Sequence, residues 1–389
     1  MKKFRNAALM MSCFLLVAGS PATAAGLVTV KVGIIASLSG YVASYGIDER
    51  DGALLAIGEI NKSNAIPGVR LEPIVIDDKG DPTATVEAIQ QAIGQGAVAI
   101  IGPTTTAGSG AAAGVVTPRK IPTVTFGILP LALQTNPSPY TFSVSIDSKS
   151  EGEGDLAVAL QQHASLKSVA IIYDSNAYGQ SVSDGLKAAL AAKNIAVIAN
   201  EAYKSTDTDM TPQLTRIRNG KPDYIFQIGG GTAPALIARQ KFELGMTQLM
   251  LISTGSFGIG DKKLAEIAGL GATQSVRGSV FAAQVWDTLP KSDRRREPIR
   301  RFVEDFQKTF KRNTLGYAPM AGYDAAWALA AAMKQARSTD GEKVQAALEK
   351  LKTQGILCSI EFTPASHSAC HANAVVPAKM VGTKLEYGT

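Results

Sequence analysis

The chain has 389 residues, of which 46% are hydrophobic and 6% aromatic, so it is long enough to bury a sizeable core. Its formal net charge of +6 at pH 7, with 19% charged residues, is too mild a basic excess to indicate a nucleic-acid-binding protein. Single cores rarely grow beyond about 250–300 residues, so we expect two domains.

The first 25 residues have the features of a cleaved export signal. Lys2, Lys3 and Arg5 give it a positively charged start, Ala7–Ala18 forms an apolar run, and Pro21–Ala25 supplies small residues for cleavage. The apolar run is too short to anchor the chain in a bilayer. Removal of this leader takes away three positive charges and no acid, so the formal net charge falls from +6 to +3. We therefore expect residues 1–25 to be a signal peptide and the mature chain to act outside the cytoplasm.

The mature chain opens with a predicted strand, a turn of small residues and a helix. Apolar residues alternate over Val30–Ile35, Ser37–Gly40 is rich in serine and glycine, and helical spacing runs from about Ser44 to Asn61. A strand that leads through such a turn into a helix N-terminus directs backbone N–H groups toward a crevice. Directly after an export signal, this pattern indicates an extracytoplasmic protein that binds a small ligand.

Strands and helices then alternate in two series, which predicts an α/β fold of two doubly wound lobes. Several predicted strands, such as Ala97–Gly102 and Tyr224–Ile228, are nearly continuous apolar runs, as is typical of parallel strands buried on both faces. Glu297–Lys352 is predicted to be mainly helical and Ser359–Tyr387 mainly β. The other predicted strands are Val69–Asp77, Ile121–Phe126, Tyr140–Ser145, Ser168–Asp174, Ile195–Tyr203, Leu249–Ser253 and Gly278–Val285, and the other predicted helices are Pro82–Gln95, Gly108–Thr117, Ser150–Ala164, Tyr178–Lys193, Asp209–Asn219 and Ala233–Leu244.

No low-complexity linker separates the lobes, so the chain is expected to cross between them in short segments. We place these crossings near Ser145–Asp147, Ala283–Val285 and Gly355–Cys358. Lobe 1 would then comprise residues 26–146 and 285–355, and lobe 2 would comprise residues 147–284 and 356–389.

Two cysteines, Cys358 and Cys370, remain after the leader is removed. Two thiols in an oxidising compartment favour a disulfide over a reactive site. His367 lies between them and His371 follows, so a metal site is the alternative interpretation. The spacing lacks the paired C-x2-C of structural zinc sites, and we therefore predict the disulfide and no metal.

Eight segments, in this order, resemble the type I periplasmic binding proteins of branched-chain amino acid type ABC transporters. The resemblance covers essentially the whole mature chain and implies two Rossmann-like lobes joined by three crossovers, with the ligand trapped as a hinge closes. It also implies a periplasmic monomer that binds a small molecule for an inner-membrane ABC permease, without a cofactor, catalysis or nucleic acid. The segments are SLSGYVASYG (Ser37–Gly46), ALLAIGEIN (Ala53–Asn61), DDKGDP (Asp77–Pro82), AIIGPTTTAGSGA (Ala99–Ala111), IPTVTFG (Ile121–Gly127), YDSNAYGQS (Tyr173–Ser181), PDYIFQIGGG (Pro222–Gly231) and AGYDAAWAL (Ala321–Leu329).

The run Thr104–Thr106 is the strongest candidate binding segment, because a strand ends there in hydroxyls before a helix begins. Amide N–H groups and hydroxyls at a helix N-terminus form an anion site, although the threonines could equally cap the helix. The resemblance implies that this turn, including Thr105, Thr106 and Ala107, grips the carboxylate of an amino acid, with the Thr106 hydroxyl in contact. It places Gly127 and Ile128 at further backbone contacts.

The resemblance also implies ligand contacts for Tyr45 in lobe 1 and Tyr178 in lobe 2, and for the second-lobe loop residues Gly230, Gly255 and Ser256. Two rings that face each other across a cleft could cover an apolar side chain or an aromatic ring. Packing within the core is the alternative role for each tyrosine.

The chain departs from the family's amino-acid-binding pattern at the place where a carboxylate usually meets the ligand's α-ammonium. Here the chain reads Thr254–Ser256, while Gly229–Gly231 lacks the usual aromatic residue and Leu129 replaces a hydroxyl. A buried ammonium without a charged partner is costly. The sequence therefore favours a carboxylate ligand without an amine, such as an aromatic or short aliphatic acid, unless another acid reaches the pocket. We also expect the glycines to leave room for a larger or flat ligand.

The leading hypothesis is a solute-binding protein of an ABC importer, and the alternative is a ligand-sensing receptor protein of the same fold without a transport role. An enzyme is not favoured, because Gly179–Ser183 departs from the G-x-S-x-G nucleophile motif and lies at the start of a predicted helix. Neither G-x-G-x-x-G nor a Walker A lysine is present, so nucleotide binding is not favoured either.

Overall fold

The computed structural model describes residues 27–256, 260–313 and 316–389, so the predicted signal peptide lies outside the described residues. Within these ranges, no helix combines the length and apolar character that a bilayer-spanning segment needs. The elements in chain order are β1 (Val28–Ala36), α1 (Ala43–Lys62), β2 (Val69–Asp77), α2 (Pro82–Gly94), β3 (Ala97–Ile101), α3 (Thr106–Val116), β4 (Thr123–Thr125), α4 (Leu131–Thr135), β5 (Thr141–Ile146), α5 (Ser148–Gln162), β6 (Ser168–Asp174), α6 (Ala177–Ala192), β7 (Ala196–Tyr203), α7 (Thr211–Gly220), β8 (Tyr224–Ile228), α8 (Ala233–Glu243), β9 (Leu249–Ile252), α9 (Asp261–Ala268), α10 (Leu270–Thr273), β10 (Val276–Phe281), α11 (Arg296–Phe310), α12 (Ala318–Ala336), α13 (Gly341–Leu348), β11 (Lys352–Gln354), β12 (Ser359–Glu361), β13 (Ser368–Cys370), β14 (Val375–Val381) and β15 (Lys384–Tyr387).

Two separate sheets form the centres of two lobes. The first has the strand order β13-β5-β4-β3-β1-β2, with parallel pairing throughout the described strands. The second has the order β15-β14-β10-β9-β8-β6-β7, in which β14 and β15 pair antiparallel at one edge. The prediction of an α/β fold with two doubly wound lobes is confirmed.

Local sequence signals explain where several helices begin. Asp81 caps α2 by accepting hydrogen bonds from the amides of Thr83 (2.8 Å) and Ala84 (2.9 Å), and Pro82 occupies the first helical position. Asp147 caps α5 in the same way through the amide of Ser150 at 2.7 Å. Each cap satisfies amide groups that have no acceptor inside the helix.

The chain passes between the lobes at different places from two of those predicted. The turn at Ala282–Val285 remains with lobe 2, because the Thr288 hydroxyl beyond it accepts a hydrogen bond from the Tyr387 amide at 2.9 Å. The second passage therefore follows Thr288. The third passage follows β13, because β13 pairs with β5 of the first sheet. Residues 356–370 thus lie with lobe 1, not with lobe 2 as predicted.

A disulfide holds this late segment against lobe 1. Cys358 and Cys370 are bonded to each other, as the sequence predicted, so neither thiol is available to a metal. Between them, the ring of His367 stacks on Phe142 of β5 with a centroid separation of 4.0 Å, and its carbonyl oxygen accepts from the Ser143 amide at 2.8 Å. A three-residue strand is too short for a period-2 pattern to be recognised, so the sequence could not indicate which sheet it joins.

Helices α1 and α12 pack at very close range in lobe 1, and two glycines make this possible. A Cβ atom on Gly52 would lie 1.8 Å from the carbonyl oxygen of Pro319. One on Gly322 would lie 1.9 Å from the carbonyl oxygen of Glu49. Because both obstacles are backbone atoms, neither position tolerates a side chain without displacement of a helix. The contact sets the part of α1 that contains Tyr45 and Glu49 beside Tyr317, which precedes α12.

We expect Gly52→Ala to destabilise the protein by about 1–3 kcal/mol, the usual cost of overpacking a core. Gly58→Ala on the same helix is the matched control, because no atom lies within 4 Å of the position its Cβ would take. It should raise stability by about 0.5–1 kcal/mol, through the loss of glycine's backbone entropy in the unfolded chain. Urea unfolding of the two variants measures the difference. Equal stability of the two variants would contradict the close packing of α1 and α12.

Candidate ligand-binding cleft

A cavity of about 780 Å³, counted with the part open to solvent, lies between the two lobes. It is formed where the carboxyl ends of strands from both sheets face each other, which is the usual position of ligand sites in open α/β sheets. The lining residues are Tyr41, Val42, Tyr45, Glu49, Thr104, Thr105, Thr106, Ala107, Phe126, Gly127, Ile128, Ser145, Ile146, Glu151, Asn176, Ala177, Tyr178, Gly230, Gly255, Phe281 and Tyr317.

The structure brings nine of the ten residues predicted for the site to this cavity. The exception is Ser256, which is buried behind the wall. Its Oγ accepts a hydrogen bond from the Gly229 amide at 2.9 Å and lies 3.5 Å from the Tyr178 hydroxyl. The nine residues that line the cavity are Tyr45, Thr105, Thr106, Ala107, Gly127, Ile128, Tyr178, Gly230 and Gly255.

The first half of the cavity wall is suited to an anion. Thr105 is the N-cap of α3, and its Oγ1 accepts from the Gly108 amide at 3.0 Å. This threonine therefore caps the helix and also lines the cavity. The amides of Thr106 and Ala107 belong to the first helical turn, where N–H groups have no acceptor within the helix. These donors and the helix dipole favour negative charge beside them.

The turn after β4 is fixed next to this helix start. The carbonyl oxygen of Gly127 accepts hydrogen bonds from the hydroxyls of Ser143 (2.8 Å) and Thr125 (3.1 Å). A Cβ on Gly127 would lie 2.5 Å from the Thr104 carbonyl oxygen, so only glycine permits the two turns to approach so closely. As a result, Gly127 and Ile128 line the cavity beside Thr106.

The two predicted tyrosines occupy the space that the second-lobe glycines were expected to leave for a ligand. The Tyr45 hydroxyl reaches across from lobe 1 and donates to the Gly255 carbonyl oxygen at 3.0 Å. A Cβ on Gly255 would lie 2.6 Å from the Tyr178 hydroxyl, and one on Gly230 would lie 3.4 Å from the Tyr45 hydroxyl. The expectation of extra room was therefore wrong, because tyrosine hydroxyls fill it.

Glu151 is an acid of the cavity that the sequence did not reveal. It lies in the first turn of α5 and is completely buried. Its Oε1 accepts hydrogen bonds from the Tyr178 hydroxyl (2.8 Å), the Ser253 hydroxyl (2.7 Å) and the Gly255 amide (3.1 Å). Its Oε2 is buried and has no hydrogen-bond partner among the described residues. Burial raises the pKa of this carboxyl, against the lowering effect of its three donors.

This geometry overturns the inference that the cleft has lost its acid for a cationic group. The acid comes from α5 instead of from the loop at Thr254–Ser256. A signal was present in the sequence, because Glu151 and Asp155 lie one turn apart on the helix face that continues through the buried Ala159. Acids on an apolar face are rare and usually have a partner.

Glu49 is a second acid of the cavity, contributed by lobe 1. It is buried on α1, one turn after Tyr45, and its Oε2 accepts from the Thr104 hydroxyl at 2.7 Å. Within the described part of the chain, its Oε1 receives no hydrogen bond. The pKa of Glu49 is raised to about 8, mainly by burial; the Thr104 hydroxyl opposes this rise, and the nearby Asp78 and Asp48 add to it.

Aromatic rings complete the wall. The rings of Tyr45 and Tyr317 meet edge to face with centroids 6.4 Å apart, and Phe281 lies 5.1 Å from Tyr317. Tyr41, Phe126 and Tyr178 also line the cavity. None of the described lining residues is a lysine, arginine or histidine. The cleft therefore combines amide and hydroxyl donors, two buried acids and aromatic surfaces.

Residues 29–383 match the model of a family described as periplasmic binding protein. The chain belongs to this family. This confirms the family indicated by the ordered motifs.

Several relatives are similar over long stretches. The Leu/Ile/Val-binding protein BraC3 of Rhizobium johnstonii is 29% identical over 258 residues, which are 65% of this chain and 66% of that protein. The leucine-, isoleucine-, valine-, threonine-, and alanine-binding protein of Pseudomonas aeruginosa is 22% identical over 322 residues, which are 82% of each chain. These relatives are named as binding proteins and not as enzymes.

Solved structures share the fold. A type 1 periplasmic binding protein from Bordetella pertussis has a TM-score of 0.79 at 24% identity, over 92% of this chain and 99% of that chain. A leucine-binding protein from Thermotoga maritima has a TM-score of 0.78 at 23% identity, over 92% and 98% of the two chains. Both comparisons support the two-lobed architecture.

We expect the stability advantage of Glu49→Gln over wild type to grow with pH. A carboxyl whose pKa rises from 4.5 to about 8 on folding stabilises the fold fully below pH 4.5, and this stabilisation is lost as the pH rises through about 8. The neutral Gln side chain loses nothing over that window. The difference in the free energy of unfolding between Glu49→Gln and wild type should therefore grow by up to a few kcal/mol.

Urea unfolding of ligand-free protein at pH 5 and pH 8 measures this gap. Glu87→Gln on α2 is the control, because Glu87 is exposed to water. The difference in stability between this variant and wild type should be the same at both pH values. A constant gap for Glu49→Gln as well would show that Glu49 is not buried as described.

Proposed function

We propose that this protein is the solute-binding component of an ABC importer, that it works in the periplasm after removal of residues 1–25, and that it captures a small zwitterion. The ligand's carboxylate would bind the amides and hydroxyls at Thr105–Ala107 and Gly127–Ile128. Its ammonium group would bind Oε2 of Glu151. The membership of the chain in a family of solute-binding proteins supports the general role.

The unpaired Oε2 of Glu151 is the observation that carries the proposed ligand class. A buried carboxylate oxygen without a donor is costly, and an ammonium group supplies both the donor and the opposite charge. The three hydrogen bonds to Oε1 hold the carboxylate in place and so fix the position of Oε2. The names of the relatives, which include amino-acid-binding proteins, agree with a ligand that carries both an acid and an amine.

Capture by closure of the two lobes would provide the mechanism, with no covalent step. The anion-binding turns belong to lobe 1 and Glu151 to lobe 2, so one zwitterion can touch both lobes only when they approach each other. The hydrogen bond from the Tyr45 hydroxyl to the Gly255 carbonyl oxygen joins the lobes beside the ligand. A ligand that binds the closed arrangement more tightly shifts the population toward it, and the closed form is the species that a permease would recognise.

We expect Glu151→Gln to weaken binding of a zwitterionic amino acid by about 100-fold or more, because a buried cation loses its only proposed counter-charge. The probe is the amino acid that gives the largest thermal shift in a panel of the twenty standard ones, and calorimetry measures its affinity. Glu153→Gln, two residues away on the exposed side of α5, is the control and should leave the affinity unchanged.

Benzoate and short aliphatic acids form the second arm of this experiment. If these acids stabilise the protein and no amino acid does, the proposed role of Glu151 is wrong and the ligand is a simple acid. If the two variants bind the amino acid equally well, the ammonium group does not contact Glu151.

We expect Tyr45→Phe to weaken the same affinity by up to about 10-fold, the effect of losing one net hydrogen bond between the lobes. The loss should appear mainly as faster ligand release, because the bond forms after the ligand has entered. Stopped-flow fluorescence separates the two rates. A slower association rate with unchanged release would contradict a role for this bond in closure.

A further inference from the structure

We propose that the ligand carries a second nitrogen hydrogen-bond donor on its side chain and that Glu49 binds it, so that the site selects an amine- or amide-bearing amino acid over a branched aliphatic one. This inference rests on the proposed function, because it takes the α-carboxylate and α-ammonium positions from it. It adds a specificity-determining residue and a narrower ligand class.

Glu49 meets the requirements of such a subsite. Glu49 is buried, with 3% of the residue exposed, and it lines the same cavity as Glu151. The Thr104 hydroxyl satisfies Oε2 alone, and Thr104 is itself held by the Ser37 amide, which donates to its Oγ1 at 3.1 Å. The carboxyl is thus fixed by the protein while Oε1 is left without a donor among the described residues.

The two acids form a matched pair, one from each lobe. Glu49 on α1 and Glu151 on α5 each have one oxygen that the protein satisfies and one that it does not. A single ammonium group at Glu151 would leave the free oxygen of Glu49 unpaired. A ligand with two separate nitrogen groups satisfies both acids at once, whereas the threonine hydroxyls and helix amides take its carboxylate.

An aliphatic side chain is a poor match for this end of the cavity. Burial of a leucine side chain against a carboxyl without a donor leaves a polar group unsatisfied, which is unfavourable, and more so if the group is charged. The rings of Tyr45 and Tyr317 offer apolar faces for the methylene groups of a longer chain. Aromatic faces also attract a cationic end group.

No cationic side chain in the described part of the chain competes for Glu49. The neighbouring acid Asp48 pairs with Arg312, which also binds Asp51 at 2.6 Å. Asp78, at the end of β2, accepts from the Ser37 hydroxyl at 2.7 Å and the Thr85 hydroxyl at 3.1 Å. The groups that face Glu49 are therefore hydroxyls, acids and aromatic rings, and the lining of the described cavity contains no basic side chain.

The test compares the affinities of the mature full-length protein for leucine, glutamine, ornithine and lysine by calorimetry at one pH. We expect the best of the three nitrogen-bearing amino acids to bind at least 10-fold more tightly than leucine. In Glu49→Met, which has a similar length but no acceptor, this preference should fall to near unity or reverse. Glu49→Gln should retain binding of glutamine better than that of ornithine or lysine.

Glu87→Gln is the matched control and should leave all four affinities unchanged. Circular dichroism melts check that the Glu49 variants are folded, and Glu49→Gln keeps the size of the side chain should Glu49→Met fail to fold. Leucine binding as tight as that of the other three, with no change in Glu49→Gln, would overturn this inference. In that case a loss of leucine binding in Glu151→Gln would show that the proposed zwitterion site still stands. Failure of all four amino acids to bind would overturn this inference, whereas the proposed zwitterion site is overturned only if no amino acid of the panel of twenty binds.

Discussion

Two carboxyl groups buried in a cavity with no basic residue in its described lining are the constraint on which the rest of this structure depends. Each is anchored by hydroxyl donors of its own lobe, so it cannot turn away to find water. Their hydrogen-bonding capacity therefore remains incomplete until something else enters. Because one acid belongs to each lobe, a ligand that completes both must hold the lobes together, and ligand recognition becomes coupled to closure.

The fold supplies the precision that this coupling requires. The carboxyl ends of both sheets point into the cleft, which places helix starts and short turns there instead of bulky connections. Gly52 and Gly322 let α1 and α12 pack backbone against backbone, and this contact sets the part of α1 that contains Tyr45 beside Tyr317. The late segment that ends at Cys370 is added to the first sheet and is fixed there by a disulfide. Lobe 1 is thus assembled from parts of the chain that are distant in sequence.

The glycines of lobe 2 show why position-by-position comparison with a family is limited. Gly230 and Gly255 seemed to mark vacated space and a lost acid. In the structure, the hydroxyls of Tyr45 and Tyr178 fill that space, and Glu151 supplies an acid from a different helix. A pocket is a volume shared by many elements, so a loss at one position can be offset from another. Only the arrangement in space shows which element provides the replacement.

Sequence alone determined the features that depend on neighbouring residues. Apolar periodicity located the strands and helices, Asp81 and Pro82 marked a helix start, and Thr104–Thr106 marked a turn that lines the cleft. Tertiary structure alone decided which acids meet in the cleft and which sheet receives residues 368–370. Glu151 and Ser253 are 102 residues apart, and no local pattern reports a contact over that distance. Periodicity records which face of an element is buried, whereas the partner on that face depends on how the whole chain folds.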